Sequence, residues 1–163
     1  MRLPVNYISA AEALQLVKSG DRVFIHGSAQ TPTNMLKELS FQSDRLKDVE
    51  LVFISVLGQI FVDQPGMEDS FNINSLFVSE PIRKDVNEGR ADYVPIFLSE
   101  IPELFKRNIL PIDVAIVQVS PPDKHGYCSM GVSVDVARSA VNTAKKVIAQ
   151  VNPNVPRTHG DGL

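Results

Sequence analysis

Apolar positions along this chain come in short blocks of two kinds, and the kinds alternate. ISAAEALQLVKSGDRVFIHGS (8–28) shows the rule. Ala10, Ala13, Leu14 and Val17 recur at helical spacing behind Ser9 and Glu12, the two ends of a capping box. Lys18 suits the last turn, Gly20 closes the helix, and RVFIH (22–26) follows as a short apolar strand. Pro32 then opens a helix over TNMLKELSF, with the proline in its first turn. The second core strand is VELVFISVL (49–57).

The middle of the chain is less regular. GQIFVDQPGMEDSF (58–71) reads as a loop and NSLFVS (74–79) as a strand. Ser79, Glu80 and Pro81 start a helix that runs to about Glu88 and is closed by Gly89. DYVPIF (92–97) is a strand, and SEIPELFKRN (99–108) a helix with Ser99 and Glu100 in capping positions. VAIVQV (114–119) is the most apolar strand, SVDVARSAVNTA (133–144) a helix and KKVIAQVN (145–152) the last strand. Strands that are continuous apolar runs, alternating with helices, belong to sheets buried on both faces. The fold class is therefore α/β: an open, mostly parallel sheet with helices on both faces. No repeat or linker marks a second domain.

Ligands of such sheets bind beyond the carboxyl ends of the strands. Three loops there hold all three histidines and the single cysteine: HGSAQTP (26–32), SPPDKHGYCSMG (120–131) and NPNVPRTHGDG (152–162). In the first, Gly27, Ser28 and Ala29 would let a ligand approach the backbone, and the next helix start favours an anion. A plain strand-to-helix turn uses the same small residues, and neither a Walker A nor a GxGxxG spacing is present. His125 and Cys128 suggest a nucleophile pair or metal ligands. One Cys and three scattered His are a poor tetrahedral set, so a turn histidine and a packed thiol is the better reading. Glu100 and Glu103 share a helix face, where acids commonly answer the helix dipole. Arg83, Lys84 and Arg90 read as solvated cations, and Arg157 as the better holder of an anion.

Composition narrows the classes further. The 163 residues are 44% hydrophobic and 21% charged with a formal net charge of -3, an ordinary globular balance without a basic nucleic-acid footprint. No apolar run approaches the ~20 residues that span a bilayer, so no membrane partner is expected. The first residues lack the apolar core of a signal peptide. One cysteine suits a reducing compartment, the cytoplasm by default, with the mitochondrial matrix as the second choice.

Three long stretches carry a resemblance: SPPDKHGYCSMGVSVD, NEGRADYVPIFLSEIPELF and AQVNPNVPRTHGD. In this order they resemble the amino-terminal half of the acetyl-CoA hydrolase/transferase family, which includes 4-hydroxybutyrate, butyryl, succinyl and acetate CoA-transferases of class I. The resemblance extends from about Gly20 to Asp161. It implies a NagB/RpiA/CoA-transferase-like fold over residues 1–163, and an enzyme of acetyl-CoA and acetate metabolism that moves CoA between a thioester and a small carboxylate. Coenzyme A or acyl-CoA is then substrate, with no covalently bound cofactor and no metal. The family's glutamate nucleophile lies in a carboxyl-terminal half outside this sequence, so no catalytic residue is assigned and the chain alone is expected to be inactive. A truncated gene product, a proteolytic fragment and a subunit of a split enzyme all fit. The resemblance places Gly27, Ser28, Ala29, Gln30 and Pro32 toward the acyl and carboxylate groups, and His125, Gly126, Asn152 and Arg157 toward the other half. A second subunit or homo-oligomer is expected to cover the open side. The alternatives are an acetyl-CoA hydrolase, a non-catalytic acyl-CoA or carboxylate binding module, and, by fold analogy alone, a sugar-phosphate isomerase or sensor.

Overall fold

The computed structural model describes residues 6–159. Its six strands are β1 (Arg22–Ile25), β2 (Val49–Phe53), β3 (Phe71–Ser75), β4 (Ala91–Tyr93), β5 (Val114–Val119) and β6 (Lys146–Val151). They form one sheet of order β4-β3-β2-β1-β5-β6, and every pairing is parallel. Strand order runs one way from β1 to β4 and then reverses through β5 to β6, so β1 and β5 flank a topological switch point. Right-handed crossovers then dictate which face each helix takes. α1 (Ala10–Ala13), α2 (Thr33–Ser40) and α3 (Arg83–Asn87) pack on one face, with Leu36, Leu39 and Ile82 against Val23, Ile25, Leu51 and Ile116. α4 (Ile101–Lys106) and α5 (Ala137–Thr143) cover the other, with Phe105, Ala137 and Ala140 against Phe24, Ala115 and Val117. Phe24 and Phe105 meet edge to face at 5.9 Å between centroids. The open, parallel sheet covered on both faces agrees with the fold class read from the sequence.

Several boundaries differ from the sequence expectation. The third strand lies at Phe71–Ser75, not 74–79. Phe71 and Ile73 face the α2 side while Asn72 is exposed, so the strand alternates instead of running apolar. The face opposite Phe71 and Ile73 carries Glu50, Asn72, Asn74 and Asp92, and on it Asn74 is buried with its amide donating to Glu50 Oε1 at 2.7 Å while Asn72 is exposed. β4 stops at Tyr93, two residues before Pro95, which has no N–H to give a ladder. β2 leaves the sheet after Phe53, four residues short of expectation. Pro32 stands one residue before α2, as its cap residue, and not in its first turn. α1 is a single turn capped by Ser9 Oγ, which accepts the Glu12 N–H at 3.1 Å, and it tightens to a 3-10 turn over Leu14–Leu16. α5 starts only at Ala137, because Asp135, with φ 35°, takes the amides of Val136 and Ala137 on its own carboxylate. Arg90 is no freely solvated cation: it pairs with Asp85 and Glu88, and these carboxylates push its pKa further up. No helix among the described residues is long and apolar enough to cross a membrane.

Candidate functional site

The switch point puts the ends of β1 and β5 side by side, and His26 sits directly between them. Its N–H continues the ladder to Ile116 O at 3.0 Å. The imidazole is fully buried, with Nδ1 accepting the Gln118 N–H at 3.3 Å and Nε2 lying 2.7 Å from Ser133 O. A carbonyl only accepts, so the proton is on Nε2 and the ring is neutral. Burial pushes its pKa below the ordinary value, against the pull of the Ser133 carbonyl and of Asp135. Sequence reasoning placed His26 where the apolar strand RVFIH passes into its loop and gave it no role; nothing in the local pattern tells which partners a histidine at such a junction meets.

Residues 27–32 form a tight turn pressed against β2. A Cβ on Gly27 would lie 2.7 Å from Ser55 O, closer than real contacts allow, so only glycine fits. Ser28 adopts φ 51° and is held there by its N–H to Ser55 O (2.8 Å) and its hydroxyl to Ser55 Oγ (2.7 Å). Gln30 and Pro32 are buried, and Ala29 is exposed. The Gln30 amide reaches Met130 O (2.7 Å) through Nε2 and accepts from Gln118 Nε2 (3.3 Å). Gln118 Oε1 in turn accepts from Gln150 Nε2 (2.6 Å) and Asn152 Nδ2 (3.2 Å). A polar ladder therefore runs from the β1 loop across β5 to β6, joining two of the nine predicted residues, Gln30 and Asn152, through one that the sequence did not single out. Gln118 was hidden inside the most apolar strand, VAIVQV.

The second loop is a hairpin. Ser120 N–H bonds Ser129 O at 2.9 Å, Asp123 N–H bonds Tyr127 O at 2.9 Å, and Gly126 turns the tip with φ 91°. His125, Gly126, Tyr127 and Cys128 are exposed. Asp123 Oδ1 accepts the amides of His125 (2.8 Å) and Tyr127 (2.9 Å). Partial desolvation works against the charge on Asp123, but those amides and Arg157 more than offset it and hold the carboxyl below its usual range. Arg157 pairs with Asp123 Oδ2 at 2.9 Å and donates to Tyr127 O at 2.7 Å and Ser120 Oγ at 3.2 Å. Its charge is thus matched within the chain. The Cys128 thiol is pushed up by desolvation, with Arg157 opposing and Asp123 adding to the effect, so it is a poor thiolate at neutral pH. Glu103 pairs with Lys106 on the outside of α4. Gly160 and Gly162 of the third loop lie outside the described residues.

Beside these loops opens a pocket of about 850 Å3. Its walls include Gln118, Gln150 and Asn152 from the ladder, Gly126 and Cys128 from the hairpin, and Asn34 from α2. Gln150 Oε1 is buried there without a hydrogen-bond partner among the described residues. The arrangement offers amides, one neutral histidine behind them and no charged nucleophile. Among the described residues this set can bind and orient a polar ligand.

Residues 4–163 match the family model described as the acetyl-CoA hydrolase/transferase N-terminal domain. The succinyl-CoA:acetate/propanoyl-CoA:succinate CoA transferase of Fasciola hepatica is 47% identical over 98% of this chain and 34% of its own length. The 4-hydroxybutyrate coenzyme A transferase of Clostridium kluyveri is 42% identical over 96% of this chain and 36% of its own. Among solved structures, RipA from Yersinia pestis superposes with a TM-score of 0.83 at 26% identity, over 94% of this chain and 38% of that one. The chain spans about a third of the length of these relatives. It belongs to the acetyl-CoA hydrolase/transferase family, as the amino-terminal domain of that family.

Proposed function

We propose that this domain forms one wall of a CoA-transferase site, where CoA passes from an acyl-CoA thioester to a small carboxylate. The observation that carries the reading is the pocket at the carboxyl ends of β5 and β6, beside the switch point, in a chain whose relatives are named for CoA transfer. The domain's part is to bind and orient. The amides of Gln118, Gln150 and Asn152 offer donors and acceptors to the polar groups of a thioester, whereas the missing side chain of Gly27 makes room for the Ser55 carbonyl and not for a ligand. The nucleophile is a glutamate supplied by a carboxyl-terminal part of the protein. Its carboxylate attacks the thioester carbonyl and expels CoA thiolate, leaving an acyl-glutamyl anhydride. The thiolate attacks the glutamyl carbonyl of that anhydride and releases the acyl group as carboxylate. The incoming carboxylate then attacks the glutamyl-CoA thioester, and CoA returns to the new acyl group as the glutamate is freed. Exposed Leu57, Phe77, Phe97 and Leu98 support a covering partner on the same end of the sheet, either that carboxyl-terminal part or a second copy.

The test has two stages. The isolated chain is titrated with acetyl-CoA by calorimetry, and saturable binding is expected with no release of CoA. The carboxyl-terminal part is then added with isotopically labelled acetate, and label is expected to enter acetyl-CoA. Binding of a sugar phosphate in place of acetyl-CoA would overturn the reading. Release of free CoA without label transfer would make the activity hydrolysis.

A further inference from the structure

The hairpin of residues 120–129 poses a packing problem. Two of its residues, Pro121 and Pro122, have no N–H, its tip is exposed, and few of its backbone bonds close on themselves. Such a loop opens at little cost unless something else ties it down. In this chain the tie comes from the segment after β6. Arg157 spreads its guanidinium over both arms, to Ser120 Oγ on one and to the Tyr127 carbonyl on the other. Asp123 completes the arrangement from inside, holding the amides of His125 and Tyr127 with one oxygen and Arg157 with the other. The neighbouring Thr158 adds a bond from its N–H to Ser129 Oγ (3.2 Å) and one from its hydroxyl to Gly131 O (3.0 Å). Neither Asp123 nor Arg157 lines the pocket, whereas Pro122, Gly126 and Cys128 of the same hairpin do.

We propose that Asp123 and Arg157 are positioning residues, a latch that fixes the hairpin as the pocket's rim and thereby sets how tightly that wall holds its ligand. The ligand named here, an acyl-CoA, rests on the function proposed above; the latch itself rests on the geometry. Arginine is required because its planar fork reaches a carboxylate, a carbonyl and a hydroxyl at once, and a lysine ammonium reaches only part of that set. The arginine read from the sequence as an anion holder is in this way the partner of an internal anion.

The latch is tested on the chain itself by amide hydrogen exchange and by acetyl-CoA titration of Arg157→Ala, Arg157→Lys, Asp123→Asn and, as a control, Lys124→Ala. Exchange at His125 and Tyr127 should quicken about tenfold in Arg157→Ala and Asp123→Asn, the size expected for loss of a charge-assisted bond. Arg157→Lys should recover part of the difference, and Lys124→Ala should match the parent. The acetyl-CoA dissociation constant should weaken in the same order while the thermal midpoint, read by circular dichroism, barely moves. Unchanged exchange in Arg157→Ala overturns the latch. Quickened exchange with unchanged affinity overturns its link to the ligand. Failure of the parent chain to bind acetyl-CoA overturns the functional reading and the ligand half of this proposal together, and the exchange rates still decide the latch.

Discussion

Two loops at the same end of the same sheet are built in opposite ways. The turn at 27–32 is sunk into the sheet, fixed by backbone contact with Ser55 and by a buried glutamine, with no charged residue involved. The hairpin at 120–129 stands in solvent, fixed by one aspartate and one arginine that arrives from another segment. The first is part of the core in all but name, so substitutions there cost stability. The second is attached to the core, so substitutions there change a local conformation and leave the fold standing. A site assembled from one rigid wall and one latched rim can be tuned at the rim.

That contrast breaks or survives on paired substitutions. The largest effect expected is from Gly27→Ala, since the new methyl meets a backbone oxygen that cannot move aside. A loss of about 3 kcal/mol is expected from forced overpacking, read as a fall in urea midpoint. The matched substitution in the other loop, Gly126→Ala, meets no atom within 4 Å and is strained only by its positive φ, so about 1 kcal/mol is expected. Equal costs would erase the distinction. Gln118→Leu comes between them, at about 2 kcal/mol, because it strands the buried amides of Gln30 and Gln150.

Acid gives the next test. The folded-state pKa of His26 is depressed, so below the ordinary histidine value of about 6.5 the unfolded chain binds the proton first. The stability contributed by the neutral ring is complete above that value and is lost as pH falls from there toward the lower folded value. Asp123 is held down instead, and what it contributes is lost only lower, as pH falls past the ordinary carboxylate range of about 4. Urea midpoints measured between pH 7 and 5 should therefore decline, and His26→Gln should flatten that slope. A slope unaltered by the substitution would mean that His26 is not the group responsible. The smallest effect is expected from His125→Ala at the exposed tip, within about 0.5 kcal/mol of the parent. A larger loss would show that the tip is packed as firmly as the buried turn.

Much of the fold was legible because burial on both faces writes itself into sequence. Arg22–Ile25 and Val114–Val119 read as apolar blocks, and both are central strands. Phe71–Ser75 was displaced in the reading because two asparagines, Asn72 in solvent and Asn74 buried with its amide on Glu50, break the apolar run there. The helices were legible as periods but overlong as spans, since Asp135 and the Leu14–Leu16 turn end the regular bonding early for local reasons. At the site, the three loops were located correctly at the carboxyl ends of strands. The roles within them were not legible: Gln118 lay in an apolar strand, His26 ended one with no sign of its partners, and Arg157 read as the holder of a ligand anion when its anion is Asp123.

The sequence by itself determined the α/β class, the order of the elements, the glycine turns and, through three long motifs, the family. Those properties follow from spacing along the chain, where hydrophobic period and turn chemistry act over a few residues. The tertiary structure alone decided that β1 and β5 meet at the switch point, that Gln30, Gln118, Gln150 and Asn152 form one ladder, and that Arg157 closes on Asp123, 34 residues earlier in the chain. Hydrogen bonds and ion pairs act over about 3 Å. Their partners here are tens of residues apart, and only the folded sheet brings such groups within reach.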